Sequence, residues 1–214
     1  MHLISHSLTA GNAIAEEFAF CQPDLQQHLT LAPNRNPHLA WHGLPAATQS
    51  LVLLCHDPDV PSVGDDVNQE GRTIAADLPR VDFYHWSLID IPVALAWIDA
   101  GEMSDGVTPR GKAGPQVAHK RFPDAMRHGI NDYTAWFAND EAMRGDYYGY
   151  DGPCPPWNDA RLHRYIFTIY ALDIARLPLE GRFDGRQVRA AIEGHILDQA
   201  SLSVHYTLNP ALRA

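Results

Sequence analysis

Apolar residues in this chain gather into a few short runs separated by long polar stretches. Residues 52–55 (VLLC) are solidly apolar and bounded by Gln49-Ser50 and Asp57-Pro58, which suits a strand buried on both faces better than a helix too short to nucleate. That strand is expected at the centre of a sheet. Residues 83–91, FYHWSLIDI, are rich in aromatic and β-branched side chains and are stopped by Pro92, the pattern of a second core strand. A third is expected over residues 164–172. Alternation along it puts His163 and Tyr165 on one face with Phe167 and Ile169, and Arg164 on the other with Ile166, Thr168 and Tyr170. A histidine and a phenol therefore share one wall where a core strand begins.

Near the end of the chain the period changes. Val188, Ala191, Ile192, His195 and Ile196 recur at helical spacing, with Asp184 and Gln187 placed as N-cap and N3 of a capping-box variant. The helix is followed by residues 201–208, SLSVHYTL, whose alternation predicts a strand with one wet face. Residues 62–80 and 101–150 are long, polar and Gly- or Asp-bearing, and connections of that length read as lids or insertions. A short helix is expected in the second at residues 132–143. Tyr133, Trp136, Phe137, Tyr147, Tyr148 and Tyr150 crowd that insertion, which suits a wider groove, a subunit interface or a small core of its own. With no repeat, low-complexity tract or Pro/Ser-rich linker, residues 1–214 are expected to form one domain carrying two insertions.

Composition narrows the partners. The 214 residues are 45% hydrophobic, enough for one sizeable core. Sixteen Lys plus Arg against 26 Asp plus Glu give a formal charge of -10, which repels phosphate backbones and anionic membranes at long range and makes nucleic acid an unexpected partner. Cys21, Cys55 and Cys154 are odd in number and lack C-x-x-C spacing, and Cys55 sits in an apolar run as a small hydrophobe. This reads as a reducing compartment. The N-terminal MHLISHSLTAGNAI lacks the charged start and apolar core of a signal peptide, so a cytoplasmic protein is expected. Apolar stretches such as residues 91–98 fall far short of the roughly 20 residues a membrane helix needs.

Candidate chemistry lies at the ends of the predicted strands. In residues 149–157, GYDGPCPPW, Pro153, Pro155 and Pro156 lack an N–H and leave Cys154 as the one main-chain donor of a stiff rim. The run from His56 through Asp57, Pro58, Asp59 and Val60 to Pro61 interleaves two carboxylates with prolines as the chain leaves the sheet, although Asp-Pro is also a common way to stop a strand. His85, taken alone, reads as a hydrogen-bonded core residue. The pairs His2/His6 and His38/His42 sit four apart, yet the first lies at a terminus and the second flanks Trp41 in an extended stretch, so neither is expected to bind a metal.

Together, DPDVP, FYHW, GPCPPW and HRYIFTIYALD, in this order, resemble the phosphatidylethanolamine-binding protein (PEBP) family, in particular its bacterial Raf-kinase-inhibitor-like branch. The resemblance extends to NPHLAWHGLPAATQSLVLL and to the closing helix and strand, and so spans most of the chain outside the insertions. It implies a mainly β, sandwich-like fold of antiparallel, Greek-key-type strands with peripheral helices. It also implies a small pocket that accepts phosphate, acetate or a phospholipid head group, with no cofactor and no metal. Carried over position by position, Asp57 supplies the pocket's carboxylate, His85 and His163 its imidazoles and Tyr165 a phenol. Pro156 and the main chain at Cys154 form the rim, and Asp59 and Pro61 support the motif. Where many relatives carry a short glycine-containing link, this chain has WNDARL, and Trp157 is expected to cap the pocket or reach across it.

A carboxylate beside an imidazole favours the imidazolium, and charge-assisted donors of that kind hold a small anion in an acidic protein. Binding is then expected to weaken as pH rises. A homodimer is expected from the aromatic insertion and from the bacterial relatives, and a regulatory, kinase-inhibitor-like role toward an unidentified protein partner is a further reading that the family name alone does not carry over. Two other readings compete with a binding protein. One is a hydrolase or phosphotransferase with a histidine as general base oriented by Asp57, against which no Gly-flanked nucleophilic Ser and no P-loop appear. The other is a zinc site built from Asp57, His85 and His163.

Overall fold

The computed structural model describes residues 1–213, which fold mainly as antiparallel strands. β1 (His2–Ile4), β2 (Cys21–Asp24), β3 (His28–Leu31) and β4 (Leu39–His42) are short, whereas β5 (Ser50–Pro61) and β6 (Arg80–Ile91) are long. β7 (Trp97–Ile98), β8 (Arg127–His128), helix α1 (Tyr133–Trp136), β9 (His163–Leu172), helix α2 (Gly185–Ala191) and β10 (Ile196–Tyr206) complete the order. The main sheet runs β10-β9-β5-β6-β8, accompanied by a three-stranded sheet β1-β4-β7 and the β2-β3 ribbon. β5 is central, with β9 and β6 on its two edges, and its apolar run is buried on both faces as the sequence predicts.

Each face of the main sheet has its own core. Leu51, Leu53, Cys55, Trp86, Tyr165, Phe167 and Ile169 pack with Leu39, Trp41 and Ile98 of the smaller sheet and with Phe20 and Cys21. Val52, Leu54, Tyr84, Tyr170 and Leu172 face the other way, under Val188 and Ile192. The alternation read from residues 163–170 is thus realised, with Tyr165 and Tyr170 in different cores. Asp184 and Gln187 close the predicted capping box on α2. The helix stops earlier than its periodicity suggests, because Gly194 adopts φ 81 and turns the chain. His195 then bonds Asp173 at 2.8 Å, and Ile196 opens β10.

Two further expectations are corrected. The helix predicted over residues 132–143 is a single turn, α1, because the Asp140 carboxylate accepts from the main-chain N–H of Ala142 and Met143 and stabilises a turn instead. The aromatic insertion builds no separate core. Val117, Met126, Tyr133, Tyr147 and Tyr150 join the principal core, while Trp136 stays half exposed. The N-terminal histidines pair across strands rather than along the chain, His2 with His42 and His6 with His38, their ring centres 4.9 and 4.5 Å apart.

The cysteine reading is also overturned. Cys21 and Cys154 form a disulfide across 133 positions of sequence, and Cys55 alone is free and buried. Their spacing carries no signal. The main-chain N–H groups of Phe20 and Cys21 both donate to Pro153 O, at 2.9 and 3.1 Å, and this docks β2 against the proline loop. Disulfides persist in oxidising surroundings, so the free thiols on which a reducing compartment was expected come down to Cys55. Among the described residues, no helix is long and apolar enough to cross a membrane.

Candidate functional site

A pocket of about 210 Å³ opens where β5 leaves the main sheet. Asp57, His85, His163 and Tyr165 line it together, with Cys154 and Pro156 at the rim and Pro61 beside Asp57. Simple alternation would put Tyr84 and Trp86 on one face of β6. The register prevents this: Cys55 faces Trp86 and His56 faces Tyr84, so His85 is the extra residue of a β-bulge. Phe83 and His85 therefore enter the pocket with Trp86 in the core beneath them, while Tyr84 belongs to the opposite core. A second bulge falls between Asp57 and Val60. It lets Asp57, Val60 and Pro61 all line the pocket, while Asp59 meets Arg164 on the other face.

The floor is a chain of alternating charges. His163 Nδ1–H donates to Asp57 Oδ2 at 2.7 Å, and its Nε2–H donates to Asp159 Oδ2 at 3.0 Å. Arg80 grips Asp159 from the far side with Nη1 at 2.5 Å and Nη2 at 3.0 Å. Burial alone would push the His163 imidazole down, but hydrogen bonds to Asp159 and Asp57 outweigh it and raise its pKa to about 9. Asp159 shows the counterpart, with burial overcome by its bonds to His163 and Arg80 so that its pKa falls. Two carboxylates and two cations cancel. His163 is charged as expected, but it has no N–H left for a ligand, which corrects the expectation that both imidazoles donate to a bound anion.

His85 has the opposite character. Its Nδ1–H donates to Asp151 O at 2.8 Å, and Asp151 N–H returns a bond to His85 O at 3.1 Å. Burial pushes its pKa down despite the neighbouring carboxylates, so the ring is neutral at pH 7 and Nε2 carries a lone pair. That nitrogen makes no hydrogen bond among the described residues. Asp151 is held in turn by Asn34 and Asn131, both at 2.7 Å, and by Lys112 Nζ at 2.9 Å. Burial, and then the Asp57 carboxylate, keep the Tyr165 phenol protonated far above its usual range. The N–H of Cys154 is likewise unpaired within the described chain, and the disulfide fixes its position.

Asp59 is a supporting residue in the literal sense. Its carboxylate accepts from Arg164 Nε at 2.7 Å and Nη2 at 3.0 Å and pairs with Arg161 at 2.8 Å. Trp157 departs from expectation. It neither caps nor crosses the pocket but stacks on His28 with ring centres 3.9 Å apart. The outer wall comes from Gly64, Val67 and Asn68 of the first insertion and from Trp136, which is half exposed. Asn158 holds that insertion in place, accepting from Asn68 N–H and donating to the carbonyls of Asp66 and Arg72.

Sequence reasoning missed Arg80, Asp151, Asp159 and the part played by Tyr133, whose hydroxyl donates to Gly152 O at 2.8 Å behind the rim. WNDARL was visibly unusual, yet its link to the site runs through Asp159, which holds His163 from behind, and not through its tryptophan.

A polar floor under apolar walls, set at the strand ends of an antiparallel β fold, defines a protein that takes up a small ligand. The family model for phosphatidylethanolamine-binding protein matches residues 4–207, and this chain belongs to that family. It is 28% identical over 207 residues to the Escherichia coli UPF0098 protein YbhB, covering 97% of this chain and all of the relative. It is 32% identical over 169 residues to a UPF0098 protein of Methanothermobacter thermautotrophicus, covering 79% and 80% of the two chains. The crystal structure of E. coli YbcL, described as a member of the mammalian PEBP family, superposes with a TM-score of 0.66 at 21% identity over 96% of this chain and 97% of its own.

Proposed function

We propose that this protein binds a small anion, phosphate or the phosphate of a phospholipid head group, without transforming it. The observation that carries the reading is His85, a neutral imidazole with its orientation fixed through Nδ1 and its Nε2 left unpaired in the pocket. An anion reaching Nε2 makes the charged form favourable, so binding takes up a proton, and the new N–H, the Cys154 N–H and the Tyr165 hydroxyl converge on the ligand as donors. Affinity should then fall as pH rises from 5 to 8. Calorimetry with inorganic phosphate in buffers of different ionisation enthalpy measures this directly. Proton uptake on binding and loss of binding in His85→Phe are expected, and pH-independent binding retained in that variant would defeat the proposal.

The hydrolase reading has less to stand on. His163, the histidine that Asp57 orients, has both ring nitrogens bonded to carboxylates and no lone pair with which to accept a proton. A phosphatase and esterase panel is expected to show no activity. A regulatory role toward another protein would use the same mouth, where Trp136 is half exposed, and a pull-down with Trp136→Ala as control tests it. The Cys21–Cys154 bond at the rim favours action where thiols are oxidised, and fractionation of the native cell checks the compartment.

A further inference from the structure

We infer that His2 and His42 form a binding site for a divalent cation of the zinc, nickel or copper class, chelated by the two imidazoles across the β1-β4 pair. Positions four apart on an extended chain stand about 13 Å from one another, too far to share one ion. The register exchanges the partners. His2 lies opposite His42, Leu3 opposite Trp41 and Ile4 opposite Ala40, so the two histidines share the outer face of the small sheet while Trp41 enters the core. Both are exposed, and their ring centres are 4.9 Å apart. An ion about 2.1 Å from one nitrogen of each ring, with about 90–110° between the two bonds, sets the centres about 4.5–5.2 Å apart. Side-chain rotation alone then closes the pair on an ion. None of these residues lines the pocket.

A second pair lies further along the same two segments, and hydrogen bonding tells the two apart. His6 and His38 have ring centres 4.5 Å apart, but the His6 main-chain N–H donates to His38 Nδ1 at 3.1 Å. That bond takes the one lone pair of the neutral His38 ring and leaves its proton on Nε2. His38 is anchored further, its N–H donating to Ser7 Oγ at 3.0 Å and its carbonyl accepting from the Ser5 hydroxyl. An ion could use His38 only by breaking a bond already made. The rings of His2 and His42 make no hydrogen bond among the described residues, so each can turn a lone pair toward the ion, and neutral imidazole suits these metals. Asp198 of β10 stands beside His2 and pairs with the Met1 ammonium, which offsets the neighbouring positive charge. Among the described residues no group of three or more His, Cys, Asp or Glu side chains is placed to hold an ion. Two imidazoles therefore supply the protein's share, water fills the remaining positions, and the bound ion ties the three-residue β1 to β4.

The test uses zinc chloride with the full chain free of any affinity tag, followed by calorimetry and by ¹⁵N-histidine NMR. One zinc per chain should bind, shifting the ring nitrogens of His2 and His42 and leaving those of His38 unmoved. The thermal midpoint should rise with zinc concentration, because the ion binds a pair that only the folded chain assembles. His42→Ala should lose at least about a hundredfold in zinc affinity, the upper end of what removing a mere supporting partner of a ligand costs, and its thermal midpoint should no longer respond. His2→Gln serves as a second variant on the opposite strand, and the remaining histidine resonances report that each variant keeps the fold. Zinc that moves neither ring, that moves His38 as far as His42, or that binds both variants undiminished overturns the inference, as does a calorimetric trace without binding.

Discussion

Protonation of His163 ties the pocket floor to the stability of the fold. Its folded pKa of about 9 lies above the ordinary histidine value of 6.5, so the stabilisation is fully present below pH 6.5 and is lost as pH rises through 9, about 1.4 kcal/mol for each pKa unit of difference. His85 and His56 are displaced downward, chiefly by burial, and exert their pull on stability below pH 6.5. The window between 6.5 and 9 belongs mainly to His163. Urea midpoints should fall steadily across it, and a flat profile would show that the ion chain does not hold. At this scale the motifs DPDVP, FYHW and HRY were legible because each keeps its chemistry within a few residues. Asp159 and Arg80 were not, since their meaning depends on four segments meeting at one imidazole.

Among the elements, the strands and the capped helix α2 could be read from periodicity, and the irregularities could not. A bulge is a mismatch between two strands, so the extra residue at His85 is visible only once Cys55 and His56 have chosen their partners on β6. The bond between Cys21 and Cys154 is hidden for the same reason: an odd cysteine count without close spacing gives no partner. Counting thiols checks it. The protein unfolded without reductant should take up a single alkyl group, at Cys55, and after reduction three, one for each cysteine. Three labels before reduction would remove the covalent tie at the rim.

For the whole molecule, the question is whether the long second insertion behaves as an independent unit. Val117, Met126, Tyr147 and Tyr150 share one core with Leu53, Trp86 and Phe167 of the main sheet, and Ile130 N–H donates to Phe183 O at 2.8 Å. Losing either part exposes the other. Thermal unfolding followed by near-ultraviolet circular dichroism and by calorimetry should therefore show one coincident transition, whereas two resolved steps would mean that residues 101–150 fold on their own. The family fold was legible at this scale because its motifs come in a fixed order along the chain. The insertion's share in the core was not, because its aromatics are scattered without a period.

The side chain of Asn158 has a practical consequence for anyone recombining this scaffold. It is the peg on which residues 66–72 hang, through bonds to Asp66, Asn68 and Arg72, and it lies in the same six-residue bridge that delivers Asp159. Swapping that bridge for a shorter glycine link would therefore unhook one wall of the cavity while also stripping its buried acid, so a chimera must exchange both stretches as a matched set.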